Sequence, residues 1–161
     1  MKENVSHLPD AKRLELIAET VRYCQHVAKL GMPKTAYAKT MRETIYSVWT
    51  SRLGPKTKSA RYRSREAVGL RFGRGKIRYD HAIPFRYELQ ALMNLSAVTP
   101  DTMRPILEKY DVHTIITADE DTKLAEKKLK SEMPEGWDGT DRLARYKAVG
   151  IEVLENEDAL R

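Results

Sequence analysis

Tyr79-Asp80-His81-Ala82-Ile83-Pro84 sets an acid beside a histidine where an apolar, strand-like run meets a proline. A histidine titrates near neutrality and suits general-base activation of water. A carboxylate suits a hard divalent cation, which would stabilise charge on a phosphate. Adjacent strand residues point to opposite faces, so this pair shares one site only where the strand ends or bends. Pro84, three residues after His81, supplies a reason for the chain to turn there. The plainer alternative is an Asp–His pair that satisfies buried hydrogen bonds.

The setting favours phosphate chemistry. From Arg52 to Arg86 there are 11 Lys and Arg against two acids, Glu66 and Asp80, a local charge of +9 where the whole chain carries +6. Arg61, Arg63 and Arg65 alternate with Tyr62 and Ser64, so an extended backbone would align three guanidiniums on one side. Arg71, Arg74, Lys76 and Arg78 would extend that rail. Such contacts give salt-dependent, largely sequence-independent affinity, and the expected partner is nucleic acid, DNA in the first instance. Residues 87–161 carry 10 basic and 16 acidic side chains, and this acidic half is a candidate face for a protein partner. His113 alternates with Val112 and Thr114; it is read as a packed or surface residue, with a place in the site as the other option. His7 and His26 have no partners in sequence.

These residues need elements to position them. Leu14, Ile17, Ala18, Val21, Cys24 and Val27 recur at helical spacing and predict a helix from Asp10 to Leu30, closed by Gly31. A second helix is expected from Pro33 to about Trp49, ended by Gly54-Pro55. Leu70-Arg71-Phe72, a Gly73-Arg74-Gly75 turn and Ile77-Arg78-Tyr79 read as a β-hairpin. Pro84 and Thr99-Pro100 open two further helices. Val112–Ile116 is a β-branched strand. Thr117-Ala118-Asp119-Glu120 is a capping box that opens a helix to about Leu129, which gives Glu120 and its acidic neighbours an ordinary structural role. Trp137 is expected to anchor a loop, Asp141 to cap a last helix ending at Gly150, and Ile151–Leu154 to form a short strand. The fold class is α+β, mostly helical with a small hairpin or sheet.

The first motif, Tyr79-Asp80-His81-Ala82-Ile83-Pro84, resembles that of HNH (His-Me finger) nucleases: an apolar strand ending in acid-His, two apolar residues, then Pro. Ile115-Ile116-Thr117-Ala118-Asp119-Glu120-Asp121-Thr122-Lys123-Leu124 is similar to the segment that opens the metal-binding helix of that family, with Asp121 where the family has a histidine. The resemblance implies a ββα-metal-like core with a helical N-terminal part and a helical insertion. It also implies His81 as general base, Asp80 and Asp121 as metal ligands, and one divalent cation, Mg²⁺ or Mn²⁺. Residues 1–54 would then be an N-terminal helical pair and 55–161 the basic hairpin with the nuclease-like core, the two packed as one compact domain.

Composition bounds the rest. A chain of 161 residues with 41% hydrophobic residues can bury a core. It shows no membrane-span-length apolar run and no secretory leader. Its one cysteine, Cys24, excludes a cysteine-cage zinc site within one chain and fits a reducing, cytoplasmic compartment. The leading expectation is a metal-dependent nuclease. The alternatives are a non-catalytic nucleic-acid-binding or regulatory protein with a degenerate nuclease fold, and a phage- or plasmid-type inhibitor that binds a protein.

Overall fold

The structure, a computed structural model, describes residues 5–160. Helix α1 (Asp10–Lys29) buries the stripe Leu14, Ile17, Ala18, Val21 and Cys24, and Gly31 ends it with φ +91°. Helix α2 (Lys34–Thr44) widens into a π-helical turn, Ile45–Trp49, then tightens into a 3₁₀ turn, Thr50–Leu53. Gly54, at φ +100°, makes the exit that a residue with a Cβ would resist. A single turn, α3 (Lys56–Ser59), leads into strand β1 (Tyr62–Ser64). Strand β2 (Ile77–His81) runs to the proline that caps α4 (Phe85–Met93). Helix α5 (Pro100–Tyr110) starts at the expected Thr99 cap, with reciprocal Thr99–Thr102 bonds.

Strand β3 (His113–Thr117) passes straight into α6 (Ala118–Glu126). The capping box is present: the Glu120 amide donates to Thr117 Oγ1 at 3.1 Å, and the Thr117 amide donates to Glu120 Oε2 at 2.8 Å. Helix α7 (Ala144–Ala148) and strand β4 (Val153–Glu155) close the order.

The fold is α+β. Its four-stranded mixed sheet runs β2-β3-β1-β4. Strand β3 is antiparallel to β2 and parallel to β1, while β4 is antiparallel to β1. Strands β2 and β3 with α6 make a β–β–α unit into which α4 and α5 are inserted. Those inserted helices share one core with the N-terminal pair: Leu89, Leu92, Met103 and Leu107 pack with Leu14, Ile17, Val21, Met41, Ile45 and Trp49. Each large side chain so buried contributes about 1.5–3 kcal/mol relative to exposure. A second core, under α6 and α7, gathers Ala82, Ile116, Leu124, Tyr146 and Ile151.

The expected 70–79 hairpin is not formed. Residues 68–76 make turns, and the Leu70 amide bonds back to the Ala67 carbonyl at 3.1 Å. The partner of β2 is β3, and the Ala118 amide reaching the Lys76 carbonyl at 2.8 Å extends that pairing. The β-branched run of β3, buried along Thr114–Ile116, offers β2 a better partner than a loop rich in Gly and Arg. Among the described residues, no helix is long and apolar enough to cross a membrane.

Candidate metal centre

His81 and His113 are opposed in the β2–β3 register, so both side chains lie on the same face of the sheet. Their ring centroids are 4.3 Å apart. Tyr79, two residues back along β2, stacks on His113 at 4.4 Å with an interplanar angle of 14°, and its hydroxyl lies 2.7 Å from Ser59 Oγ. Phe85, at the start of α4, tilts against His81 at 5.8 Å. Two residues before His113, the C-cap of α5 places Asp111 on that same side.

One ligand atom each from His81, Asp111 and His113 falls within 4.8 Å of the others. Among the described residues this is the group of three or more such side chains suited to a metal ion. Asp111 Oδ2 accepts from Thr50 Oγ1 at 2.8 Å, which fixes the carboxylate and leaves Oδ1 facing His113 Nε2 at 3.7 Å. Two donors on a tetrahedral ion with bonds of about 2.0–2.2 Å lie roughly 3.4 Å apart, so a small inward movement would bring this pair to bonding geometry. Asp111 Oδ1 and His113 Nδ1 are buried without hydrogen-bond partners, the condition a cation and its surrounding shell would relieve.

Electrostatics suit ligation. Burial pushes the His81 imidazole down to about 4, helped by the positive charges of Arg42 and Arg145. Burial likewise holds His113 well below its ordinary value, with His81 and Lys56 acting in the same direction. Both rings therefore keep their lone pairs at neutral pH. Burial raises Asp111 to about 6, against the pull of the Thr50 hydrogen bond and Arg52, so it is mostly ionised at pH 7. Two neutral imidazoles and one carboxylate form a three-ligand set that leaves positions for water or substrate. The set suits Mn²⁺, Fe²⁺ or Zn²⁺ better than Mg²⁺, which prefers oxygen ligands alone.

The cluster opens into a cavity of about 290 Å³ whose exposed rim includes Arg42, Glu43, Tyr46 and Lys56. Lys56 Nζ stands 5.7–6.0 Å from the rings of Tyr79, Tyr46 and Phe72, a cation set among aromatic faces. Two larger surface hollows, about 710 and 800 Å³, lie over the start of α6 and beside β4, away from these histidines.

The three residues singled out from the motif do not meet at one point. Asp80 and His81 both lie within regular β2 and point to opposite faces, because the chain turns only after them. Asp80 faces the second core, where Arg145 pairs with it and Tyr146 donates to Oδ2 at 2.6 Å. Burial raises the Asp80 carboxyl, Arg145 and Tyr146 offset part of that, and Asp121 adds a further upward push. Asp80 and Asp121 are thus electrostatic neighbours, yet a guanidinium already serves the first, and Lys130 Nζ, at 2.9 Å, serves the second. His81 is turned away from both.

The basic residues divide as well. Arg61, Arg71, Arg74, Lys76 and Arg78 are exposed, and Arg78 donates to the Gly75 carbonyl at 2.7 Å. Arg65 is exposed but held by Glu152 through bonds of 2.5 and 2.6 Å. Arg63, in the middle of β1, is buried and donates to the Ala67 and Leu70 carbonyls, with Asp158 at 3.4 Å. The acidic half is drawn into similar pairs, Glu132 with Arg86 and Asp141 with Lys147.

Asp111 and the site role of His113 escape a reading by motif. Their available signal is local: an acid and a histidine two residues apart at the start of a β-branched strand share a face. Comparison with family models, with curated proteins and with solved structures finds no match for this chain.

Proposed function

We propose that this chain is a metal-dependent nuclease that hydrolyses phosphodiester bonds in nucleic acid, DNA in the first instance, in the cytoplasm. The observation that carries the reading is the His81–Asp111–His113 cluster, open to a cavity rimmed by Arg42 and Lys56. The ligands differ from those the HNH resemblance implies: His81 becomes a ligand rather than the base, and Asp111 and His113 replace Asp80 and Asp121. A bound divalent cation would supply an activated water and polarise the phosphoryl oxygens. Arg42 and Lys56 would draw the anionic group into the cavity, and the exposed cations of 71–78 would hold the flanking backbone.

The test is nicking of supercoiled plasmid with Mn²⁺, Zn²⁺ and Mg²⁺ in turn, comparing wild type with Asp111→Asn and with chelator. Metal-dependent nicking lost in the variant supports the proposal; no nicking with any of the three cations overturns it.

Burial favours one second reading. The Asp111 and His113 side chains are only 2% exposed, as in a structural site. A non-catalytic nucleic-acid-binding protein would keep the basic face and use the cluster only to hold the fold. It predicts salt-dependent DNA binding with no nicking under any of the three cations, and a melting temperature that falls in chelator and in Asp111→Asn.

A further inference from the structure

Glu88 is the buried group that the three-ligand cluster leaves unexplained. It sits in the first turn of α4, seven residues after His81, and its side chain is fully buried. Neither carboxylate oxygen has a hydrogen-bond partner. The charged neighbour that acts on it is another acid, Asp111, at the C-cap of the helix that packs against α4. Among the described residues, no arginine or lysine forms an ion pair with it. A carboxylate with two orphaned oxygens, facing a second carboxylate that also has an orphaned oxygen, is among the costliest arrangements a protein interior can hold. Structural acids are normally buried with a partner, as Asp80 is with Arg145.

We propose that Glu88 is a fourth protein ligand of the same metal centre, making it a two-histidine, two-carboxylate site that binds one divalent cation with no net charge left over. This rests on the metal-centre reading above and adds to it. Phe85, one turn earlier on α4, packs against His81, and Leu107, one turn before Asp111, shares a core with Leu89 and Leu92 of α4, so the helix that carries Glu88 borders the cluster on two sides. Glu88 stands outside the group whose donor atoms are mutually within 4.8 Å and would join it only on metal binding. Charge supports the stoichiometry: two carboxylates balance one M²⁺, and both imidazoles are neutral. The additional oxygen shifts the ligand set towards Mn²⁺ or Fe²⁺ and away from Zn²⁺.

The experiment measures Mn²⁺ binding by electron paramagnetic resonance of the free ion, for wild type, Glu88→Gln and Glu88→Leu. Thermal melting of each in chelator is followed in parallel. The expected result is a crossing. Glu88→Leu melts at or above the wild-type temperature in chelator, because a buried carboxyl without hydrogen-bond partners is gone, Glu88→Gln stays folded, and both bind Mn²⁺ about tenfold or more weakly. A folded variant that binds Mn²⁺ as wild type does overturns the Glu88 assignment and leaves the three-ligand centre standing. If one variant fails to fold, the other decides. Folded wild type that binds neither Mn²⁺ nor Zn²⁺ overturns the metal centre itself, and Glu88 with it.

Discussion

His81 lies directly across the antiparallel β2–β3 ladder from His113, with ring centroids 4.3 Å apart. Two imidazoles so close would repel if both were charged, and burial keeps both neutral. The pair can therefore offer lone pairs to a shared cation. His81→Ala and His113→Ala should each lower Mn²⁺ or Zn²⁺ affinity by about a hundredfold or more, since losing only an outer-shell partner of a metal site costs about 10–100-fold. Titration calorimetry reads this directly, with circular dichroism confirming the fold. Wild-type affinity in either folded variant would remove that histidine from the centre.

Asp80 should behave oppositely. Arg145 has no exposed side-chain surface and is tied to Asp80 and to the Ala82 and Leu129 carbonyls. Asp80→Ala leaves that guanidinium buried and uncompensated, a loss on the order of 3–5 kcal/mol. The urea midpoint should fall markedly while cation affinity in the folded protein stays at the wild-type level. A large loss of metal affinity without loss of stability would return Asp80 to the ligand set.

What the sequence carried and what it withheld divide along one physical line. Features set by neighbours in the chain were legible: the α1 stripe, the Gly31 exit, the Thr99 cap and the Thr117–Glu120 box all depend on residues within a few positions of one another. The α+β class followed from the same local signals. The sheet did not, because β2 finds its partner in β3 across two inserted helices, and β1 lies parallel to β3. That register decides the site. It brings His113 and Asp111 to His81 and turns Asp80 to the other face. The rail expected along Arg61, Arg63 and Arg65 did not form, because β1 covers only Tyr62–Ser64, Arg65 opens a 3₁₀ turn, and tertiary contacts draw Arg63 into the interior. Glu88 carried no signal, since a polar residue in a helix's first turn looks ordinary until its burial is seen.

The exposed and buried arginines should separate in binding assays. Replacing Arg71, Arg74 and Lys76 by Ala should weaken DNA binding with little change in melting temperature. For duplex DNA the salt slope should drop by about 0.9 for each phosphate that the protein no longer neutralises. Arg63→Ala should chiefly destabilise the fold, since it strips the Ala67 and Leu70 carbonyls of their shared donor. Unchanged affinity and salt slope in the triple variant would place any nucleic-acid contact elsewhere.

The pH dependence of folding in chelator holds two opposed contributions in one window. His81 falls from 6.5 to about 4 on folding, so between those values the unfolded chain binds more protons and stability rises with pH. Asp111 rises from 3.8 to about 6, so between those values the folded chain binds more protons and stability falls with pH. His113 adds to the first and Glu88 to the second. Each of the two shifts with a stated value is worth about 3 kcal/mol across its range, and they largely cancel. Wild type should thus show a shallow profile from about pH 4 to 6.5. Asp111→Asn removes the falling contribution, so its stability should climb with pH across the same window, by about 3 kcal/mol more than wild type. Urea unfolding at stepped pH measures both curves. Parallel curves would mean that the Asp111 carboxyl titrates alike in the folded and unfolded chains, and that burial does not raise it.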